Sequence, residues 1–216
     1  GTDQLGASGM NHQAGLEYER SFWDQGKHVV GIDEAGRGPI AGPLVVAGAV
    51  FDIGYANSEI YDSKALSEKK REKLFSLILR EARCYKIKIV TPEEIDTLNI
   101  YRATQKAMEE IAREINAEAV LTDAMPLLHC SKPTLSIIKG DQKSLSIAAG
   151  SILAKVVRDH IMLGYDRLYP DYGFARHKGY PTKAHLEAME KYGVLPFYRK
   201  SYGPVARMNQ MTLDLD

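Results

Sequence analysis

The sequence has few cysteines and no excess of charge of either sign. Of its 216 residues two are cysteines, Cys84 and Cys130, and they lie far apart. This argues against a disulfide framework and against a zinc site built from C-x-x-C pairs, and it favours a reducing compartment, for which we predict the cytoplasm. The 28 Lys and Arg residues equal the 28 Asp and Glu residues. A net charge of zero neither indicates nor excludes a nucleic-acid-binding protein, because an acidic catalytic centre offsets basic residues in the count.

Long apolar runs are also missing. None approaches the roughly 18 residues needed to span a membrane, and no signal segment opens the chain, so we predict no membrane association. The six histidines show no metal-binding spacing such as H-E-x-x-H. Hydrophobic residues nevertheless make up 44% of the chain, enough for a real core.

Hydrophobic periodicity predicts an α/β protein. Apolar runs predict strands at 28–32, 44–51, 119–122 and 134–138, and an alternating pattern predicts a half-buried strand at 85–89. Helices are predicted after the caps Ser67, Thr91 and Thr182, with a long one over 144–165. The order β-β-α-β-α-β-β-α-α predicts one domain with a mixed sheet over residues 16–207, in which the C-terminal helices pack as a small subdomain. Residues 1–15 are expected to be flexible and 208–216 to form a tail.

Acidic residues follow two of these strands directly. Asp33 and Glu34 end the first strand, and Asp123 ends the fourth. If the two strands are neighbours, their carboxylates lie together where open α/β sheets usually bind ligands. Clustered carboxylates without His or Cys suit Mg²⁺ or Mn²⁺. The alternative is that such acids are turn residues or helix caps, and a further acid, Asp159, can equally be a surface residue paired with Lys155 on a helix.

The glycine-rich turn after the first strand has two interpretations. Gly36-x-Gly38-x-x-Ala41 matches the loose dinucleotide-binding pattern, but the next element is a strand rather than the helix that a pyrophosphate site needs. We therefore interpret it as a hairpin turn. Its glycines would also let backbone groups approach a ligand such as a ribose 2′-OH.

Three further loops carry candidate substrate contacts. Lys64 lies in Asp-Ser-Lys, Lys143 lies in a Lys-Gly-Asp-Gln-Lys-Ser run, and Tyr180 follows His-Lys-Gly. The lysines can contact phosphates and the tyrosine can stack on a sugar or base. Solvated turns and a tyrosine packed against the core are the alternatives.

Taken in order, these motifs resemble the ribonuclease HII family. The resemblance begins at Gly31–Pro39 (GIDEAGRGP) and continues through the Lys64, Asp123, 139–144, 154–159 and 177–180 segments, roughly from Val29 to Val205. It implies a ribonuclease H-like fold: a five-stranded mixed sheet flanked by helices, with a small helical C-terminal part. The glycine motif favours HII over the related HIII family.

The resemblance also implies roles for individual residues. Asp33, Glu34, Asp123 and Asp159 would be the catalytic, metal-binding set. Contacts with substrate would come from the glycine motif, the two lysines and Tyr180. These are Gly36, Arg37 and Gly38 at the 2′-OH of an RNA–DNA junction, Lys64 and Lys143 near the backbone, and Tyr180 on the following deoxyribose.

The expected activity is metal-dependent hydrolysis on the 5′ side of a ribonucleotide, in RNA/DNA hybrids and in duplex DNA holding single ribonucleotides, as in ribonucleotide excision repair. Two ions would activate the water and stabilise the leaving 3′-oxygen, giving a 3′-OH and a 5′-phosphate. We expect a monomer. The sequence shows no obvious clamp-binding motif, so its protein partners are left open. The alternative from another class is a non-catalytic nucleic-acid-binding module whose acids are structural.

Overall fold

A computed structural model describes residues 14–215. It contains one five-stranded mixed sheet in the order β3-β2-β1-β4-β5. The strands are β1 (Val29–Ala35), β2 (Leu44–Val50), β3 (Cys84–Val90), β4 (Ala119–Asp123) and β5 (Thr134–Ile137). β2 is antiparallel to both β1 and β3, whereas β1, β4 and β5 are parallel to one another. The C-terminal ends of β1, β4 and β5 therefore lie at the same edge of the sheet. The residues that follow these three strands are brought together there.

Helices cover both faces of the sheet. They are α1 (Glu17–Trp23), α2 (Glu68–Glu81), α3 (Pro92–Leu98), α4 (Ile100–Glu114), α5 (Gly140–Lys143), α6 (Leu145–Leu168), α7 (Phe174–His177), α8 (Lys183–Tyr192) and α9 (Gly203–Leu215), with a 3₁₀ turn at Ser63–Ala65. α4 packs on one face, where Met108 and Ile111 belong to the same hydrophobic cluster as Val30 and Val46. α6 and α2 pack on the other face. The fold predicted from the sequence is confirmed.

The long helix α6 lies directly on the central strand. Gly31 of β1 leaves no room for a Cβ, which would overlap the backbone of Ile147. On the helix side, a Cβ at Gly150 would lie 2.8 Å from the carbonyl oxygen of Ala47. Close approach at these two glycines fixes α6 relative to the end of β1, where the first acids lie.

The predicted caps are present, but one predicted helix is divided in two. Ser67, Thr91 and Thr182 each accept a hydrogen bond from a backbone N–H in the first turn of the following helix. The amphipathic pattern after Thr91 predicted a continuous helix. The chain instead breaks at Asn99, which has a φ of 68° and caps α4 through Arg102 N–H.

The C-terminal part has a small core of its own. Aromatic side chains, among them Phe174, Phe197 and Tyr198, pack around Met162 of α6. Tyr198 also forms a bridge with Ala41 of the glycine-rich turn. This confirms the predicted helical C-terminal part and shows that it is tied to the turn after β1.

The structure describes the C-terminal end of the chain more fully than the N-terminal end. The prediction of a flexible N-terminus falls largely on residues 1–13, outside the described residues. At the other end, α9 runs through most of the segment predicted as a tail. Between residues 14 and 215, the chain forms no helix with the length and apolar character to cross a membrane.

Candidate active site

Three carboxylates meet at the common edge of the parallel strands. Asp33 lies near the end of β1, Asp123 ends β4, and Asp141 lies in the short helix α5 that follows β5. One ligand oxygen from each of the three lies within 4.8 Å of the other two. The edge predicted from the strand order thus brings Asp33 and Asp123 together, as expected, and adds Asp141.

Burial and mutual repulsion destabilise the ionised forms of these acids. The pKa of Asp33, only 4% exposed, is raised well above its ordinary value by burial and by the charges of Glu34, Asp123 and Asp141. Burial likewise raises the pKa of Asp123, against a hydrogen bond from Gly140 N–H. The pKa of Asp141 is raised to about 7, by burial first and then by Asp123 and Asp62.

A basic side chain lies beside this cluster. Lys64 Nζ is 3.7 Å from an Asp141 carboxylate oxygen, and its side chain is 77% exposed. Burial lowers the pKa of Lys64, but the charges of Asp141 and Asp62 outweigh this and raise it. A single, largely hydrated ammonium cannot balance three closely spaced carboxylates. Oxygen donors of this kind fit a hard divalent cation, which would remove the repulsion that raises their pKa values.

Glu34 lies beside the three-carboxylate group but is not part of it. It lines the neighbouring pocket, and Arg37 Nη1 lies 3.9 Å from its carboxylate. Burial raises its pKa, while a hydrogen bond with Asp33 and the charge of Arg37 oppose the rise. Glu34 is therefore placed between the acid cluster and the glycine-rich turn.

Asp159 is placed differently from the other predicted acids. Its carboxylate accepts a hydrogen bond from Lys155 Nζ at 3.0 Å, one turn earlier on α6. It is absent from the group formed by Asp33, Asp123 and Asp141. The pairing with Lys155 that the sequence offered as the alternative is present, and the catalytic role of Asp159 stays a prediction.

A pocket of about 250 Å³ opens next to the acids. Its lining combines Glu34 with basic groups, three residues of the glycine motif and an aromatic ring: Glu34, Ala35, Gly36, Arg37, Gly38, Ser63, Lys64, Lys155, Arg158 and Tyr180. The basic side chains can bind the phosphates of a polyanionic ligand. The glycine backbone and the aromatic ring can contact a sugar of the same ligand. Five of the six predicted substrate-binding residues line it; Lys143 is exposed and lies outside the lining.

Two backbone segments shape this pocket, the glycine segment (residues 36–43) and the Tyr180 loop (residues 178–180). Gly36 has a φ of 97°, a conformation that favours glycine. A Cβ at Gly38 would lie 3.2 Å from the Tyr180 ring, so the ring packs on this residue. Tyr180 is 41% exposed, which leaves part of the ring open to a ligand.

Asp141 was missed as a member of the acidic site, and Asp62 was missed as the neighbour that helps to raise the pKa of Asp141. Asp141 lies in the Lys-Gly-Asp run interpreted as a phosphate loop, and Asp62 precedes the Ser-Lys pair interpreted in the same way. The signal was available for Asp141, since it follows the end of a predicted strand closely, as Asp123 does. Nothing comparable pointed to Asp62, whose carboxylate caps the 3₁₀ turn through Lys64 N–H.

Fold and site together define a class. A ribonuclease H-like sheet with carboxylates gathered at the C-terminal edge of its central parallel strands is the architecture of a metal-dependent nuclease. A family model for ribonuclease HII matches residues 30–205. A ribonuclease HII of Francisella tularensis subsp. tularensis (strain WY96-3418) is 51% identical over 179 residues, covering 82% of this chain and 96% of that protein.

Solved structures agree with this match. Ribonuclease H2 from Pyrococcus horikoshii OT3 superposes with a TM-score of 0.73 at 27% identity, covering 85% of this chain and 98% of that one. An RNase HII from Archaeoglobus fulgidus, solved in complex with PCNA, gives a TM-score of 0.71 at 25% identity, with 81% and 95% covered. The chain belongs to the ribonuclease HII family. It is a ribonuclease that depends on divalent metal, rather than a non-catalytic binding module.

Proposed function

We propose that this enzyme cleaves the phosphodiester on the 5′ side of a ribonucleotide, both in RNA/DNA hybrids and at single ribonucleotides in duplex DNA, leaving a 3′-OH and a 5′-phosphate. The observation that carries the proposal is the contiguity of the acid cluster and the pocket. Glu34 belongs to the pocket lining and directly follows Asp33, so a sugar held by the glycine segment would have its phosphate beside the carboxylates.

The donor set supports Mg²⁺ or Mn²⁺ as the cofactor. Asp33, Asp123 and Asp141 would hold the metal, with Glu34 next to them and Asp159 as a more distant candidate. When bound, a pair of divalent ions supplies an activated water and positive charge at the leaving oxygen. Gly140 N–H donates to Asp123 and Glu34 N–H donates to Asp33, and these hydrogen bonds would orient the two carboxylates toward a bound cation.

Recognition of the ribose would come from the glycine segment and Tyr180. Gly36 and Gly38 have no side chains, so the backbone can reach a 2′-OH that both donates and accepts. The half-exposed ring of Tyr180 would pack on the deoxyribose of the next nucleotide, where a 2′-OH would crowd it. Lys64 and Arg37 lie at the pocket wall, and Lys143 on the surface beyond it, where phosphates would pass.

We further propose a DNA-maintenance role in the cytoplasm, with ribonucleotide-containing duplex as the partner and the protein acting as a monomer. The deciding experiment uses a duplex with one embedded ribonucleotide, labelled at the 5′ end, with Mg²⁺, with Mn²⁺ or with EDTA. The expected product carries a 3′-OH and ends one nucleotide before the ribose, and EDTA abolishes it. Cleavage on the 3′ side, or a 2′,3′-cyclic phosphate end, would contradict the proposal.

A further inference from the structure

Two arginines are buried beneath the pocket without an acidic partner. Arg158 of α6 is 2% exposed and Arg199, which precedes α9, is 0% exposed. The ion pairs formed by arginines among residues 14–215 involve Arg37, Arg83 and Arg102, and neither of these two. Burial, reinforced by the charge of Arg199, lowers the pKa of Arg158 to about 10, which leaves it cationic at neutral pH. Buried charge is costly unless hydrogen bonds satisfy it, so their surroundings must supply acceptors.

Six of those acceptors are backbone carbonyls, and five of the six belong to the glycine segment. Arg158 donates to the carbonyl oxygens of Pro43 at 2.8 Å, Ala41 at 3.0 Å and Lys178 at 2.7 Å. Arg199 donates to those of Gly36 at 2.7 Å, Gly42 at 3.0 Å and Arg37 at 3.1 Å. The two guanidinium groups therefore bind the segment at both of its ends.

Glycines make this close approach sterically feasible. A Cβ at Gly36 would overlap Nε of Arg158, and one at Gly179 would lie 3.2 Å from its Nη2. Both glycines also have positive φ, 97° and 91°. Glycine at these two positions thus lets the backbone pack directly against the buried guanidinium.

Arg158 joins the two segments that shape the pocket. It binds the glycine segment through Pro43 and Ala41 and the Tyr180 loop through Lys178, and its guanidinium lies 6.0 Å from the centre of the Tyr180 ring. Arg199 binds only the glycine segment and donates in addition to Tyr202 Oη. The distance between the 2′-OH-reading backbone and the Tyr180 ring therefore depends on Arg158 most directly.

We propose that Arg158 and Arg199 are positioning residues that hold the glycine segment and the Tyr180 loop in one arrangement, and that this arrangement sets the preference for a single ribonucleotide followed by DNA. The inference rests on the proposed function, because it assumes that Tyr180 contacts the deoxyribose. Lysine preserves the charge but cannot bind three carbonyls in the plane of a guanidinium. A lysine variant therefore separates positioning from charge.

The experiment measures kcat/KM on two substrates, a duplex with one embedded ribonucleotide and a continuous RNA strand paired with DNA. The proteins are wild type, Arg158→Lys and Arg199→Lys, each with and without Tyr180→Ala. Arg102→Lys is the matched control, since Arg102 is paired with the buried Glu109 and neither residue lines the pocket. Circular dichroism establishes that each variant is folded at the assay temperature, and calorimetry with Mn²⁺ alone measures metal binding.

The ratio of interest is kcat/KM on the embedded ribonucleotide divided by kcat/KM on the continuous RNA strand. We expect it to fall about tenfold in Arg158→Lys, the lower end of what a lost stacking contact costs, and less in Arg199→Lys. Neither variant should lower the ratio further when Tyr180 is already alanine, and Mn²⁺ affinity should not change. Arg102→Lys should lower stability and leave the ratio as in wild type.

Unchanged ratios in the folded arginine variants, or losses that simply multiply with that of Tyr180→Ala, would overturn the inference. If Arg158→Lys does not fold, Arg199→Lys decides by the same criteria. A wild-type protein that cleaves both substrates equally well would instead overturn the selectivity in the proposed function, and this inference with it. The two failures are therefore distinguishable.

Discussion

Two buried sets of charged side chains lie next to the pocket, and they are stabilised in opposite ways. Asp33, Asp123 and Asp141 crowd together beside the exposed Lys64, and their pKa values rise. Arg158 and Arg199 also lack counter-ions, but every nitrogen of their guanidinium groups donates to a backbone carbonyl. The arginines are satisfied by the fold itself, whereas the acids need a cation from solution. The zero net charge of the chain gives no sign that acidic and basic side chains are grouped in this way. The acids, whose charges are not balanced within the fold, mark the reactive site.

The largest effect should come from removing one charge of the acidic set. Asp33→Asn should lower cleavage at least about a thousandfold, since a site for divalent ions contributes several kcal/mol to the transition state and each tenfold in rate is about 1.4 kcal/mol. Single-turnover rates with saturating Mn²⁺ measure this. Asp52→Asn, an exposed acid paired with Arg83, is the control and should cleave normally. Near-normal turnover of Asp33→Asn would end the assignment.

A second pair of substitutions tests which further acids belong to the catalytic set. Asp141→Asn should cost about a hundredfold in kcat, because Asp141 shares the ligand group, whereas Asp159→Asn should cost less than about tenfold, because its carboxylate is paired with Lys155. The comparison uses the same embedded-ribonucleotide substrate. A larger loss in Asp159→Asn than in Asp141→Asn would support Asp159 as a member of the catalytic set that the family resemblance implies.

This pair also shows what the sequence could and could not predict about the site. Strand ends were predictable because apolar runs ending in acids mark them, and Asp33 and Asp123 were found in this way. Asp141 follows a strand by the same logic, but the lysines and serine around it favoured a phosphate loop. Asp159 was carried over from a motif and its catalytic role stays a prediction, because motif position alone does not show which way a helical side chain faces.

Long-range contacts set a similar limit on predicting the fold. The strands and caps follow from local periodicity and hydrogen bonding, and they were predicted. The helix break at Asn99 depends on one residue with positive φ within a continuous amphipathic pattern. The burial of Arg158 and Arg199 depends on carbonyls more than a hundred residues away, which no local pattern records.

The next largest effect concerns Tyr180, whose ring lies beside Arg158. Tyr180→Ala should lose about ten- to a hundredfold on a single embedded ribonucleotide and less on continuous RNA, since stacking contacts are worth about 1–3 kcal/mol. Tyr180→Phe keeps the ring that packs on Gly38 and should be mild. Metal binding should be unaffected in both. If Tyr180→Ala slows both substrates by the same factor, the ring is a packing residue.

Salt dependence tests the two exposed lysines that we propose contact phosphates, Lys64 and Lys143. In an Asp33→Asn background that cannot cleave, Lys64→Ala should reduce the slope of log K against log salt by about one, the value for one lost phosphate contact. Lys143→Ala should do the same if the footprint of the duplex extends past the pocket. Lys191→Ala, on α8 beside Tyr192, should not. Anisotropy titrations measure the slopes, and unchanged slopes in both test variants would make these lysines solvated surface residues.

The smallest effect is on stability without metal, and its sign follows from the raised pKa values. In the folded protein the pKa of Asp141 is about 7, against an ordinary value of 3.8, so between these pH values the folded state binds more protons than the unfolded state. The free energy of unfolding should therefore fall as the pH rises from about 4 to about 7.

Thermal melts in EDTA between pH 5 and pH 8 measure this fall, and the variant that isolates it is Asp141→Asn. Its melting temperature should exceed that of wild type by a few degrees at pH 8, at roughly 2–4 °C for each kcal/mol in a chain of this size, and the gap should narrow at pH 5, where Asp141 is already protonated. Mn²⁺ should raise the melting temperature of wild type more at pH 8 than at pH 5, because a cation relieves the repulsion only between ionised carboxylates. Asp52→Asn should follow wild type throughout. A gap between Asp141→Asn and wild type that does not change with pH would show that the carboxylates do not repel one another in the folded protein, and the contrast between an unsatisfied acidic set and a satisfied basic set would no longer hold.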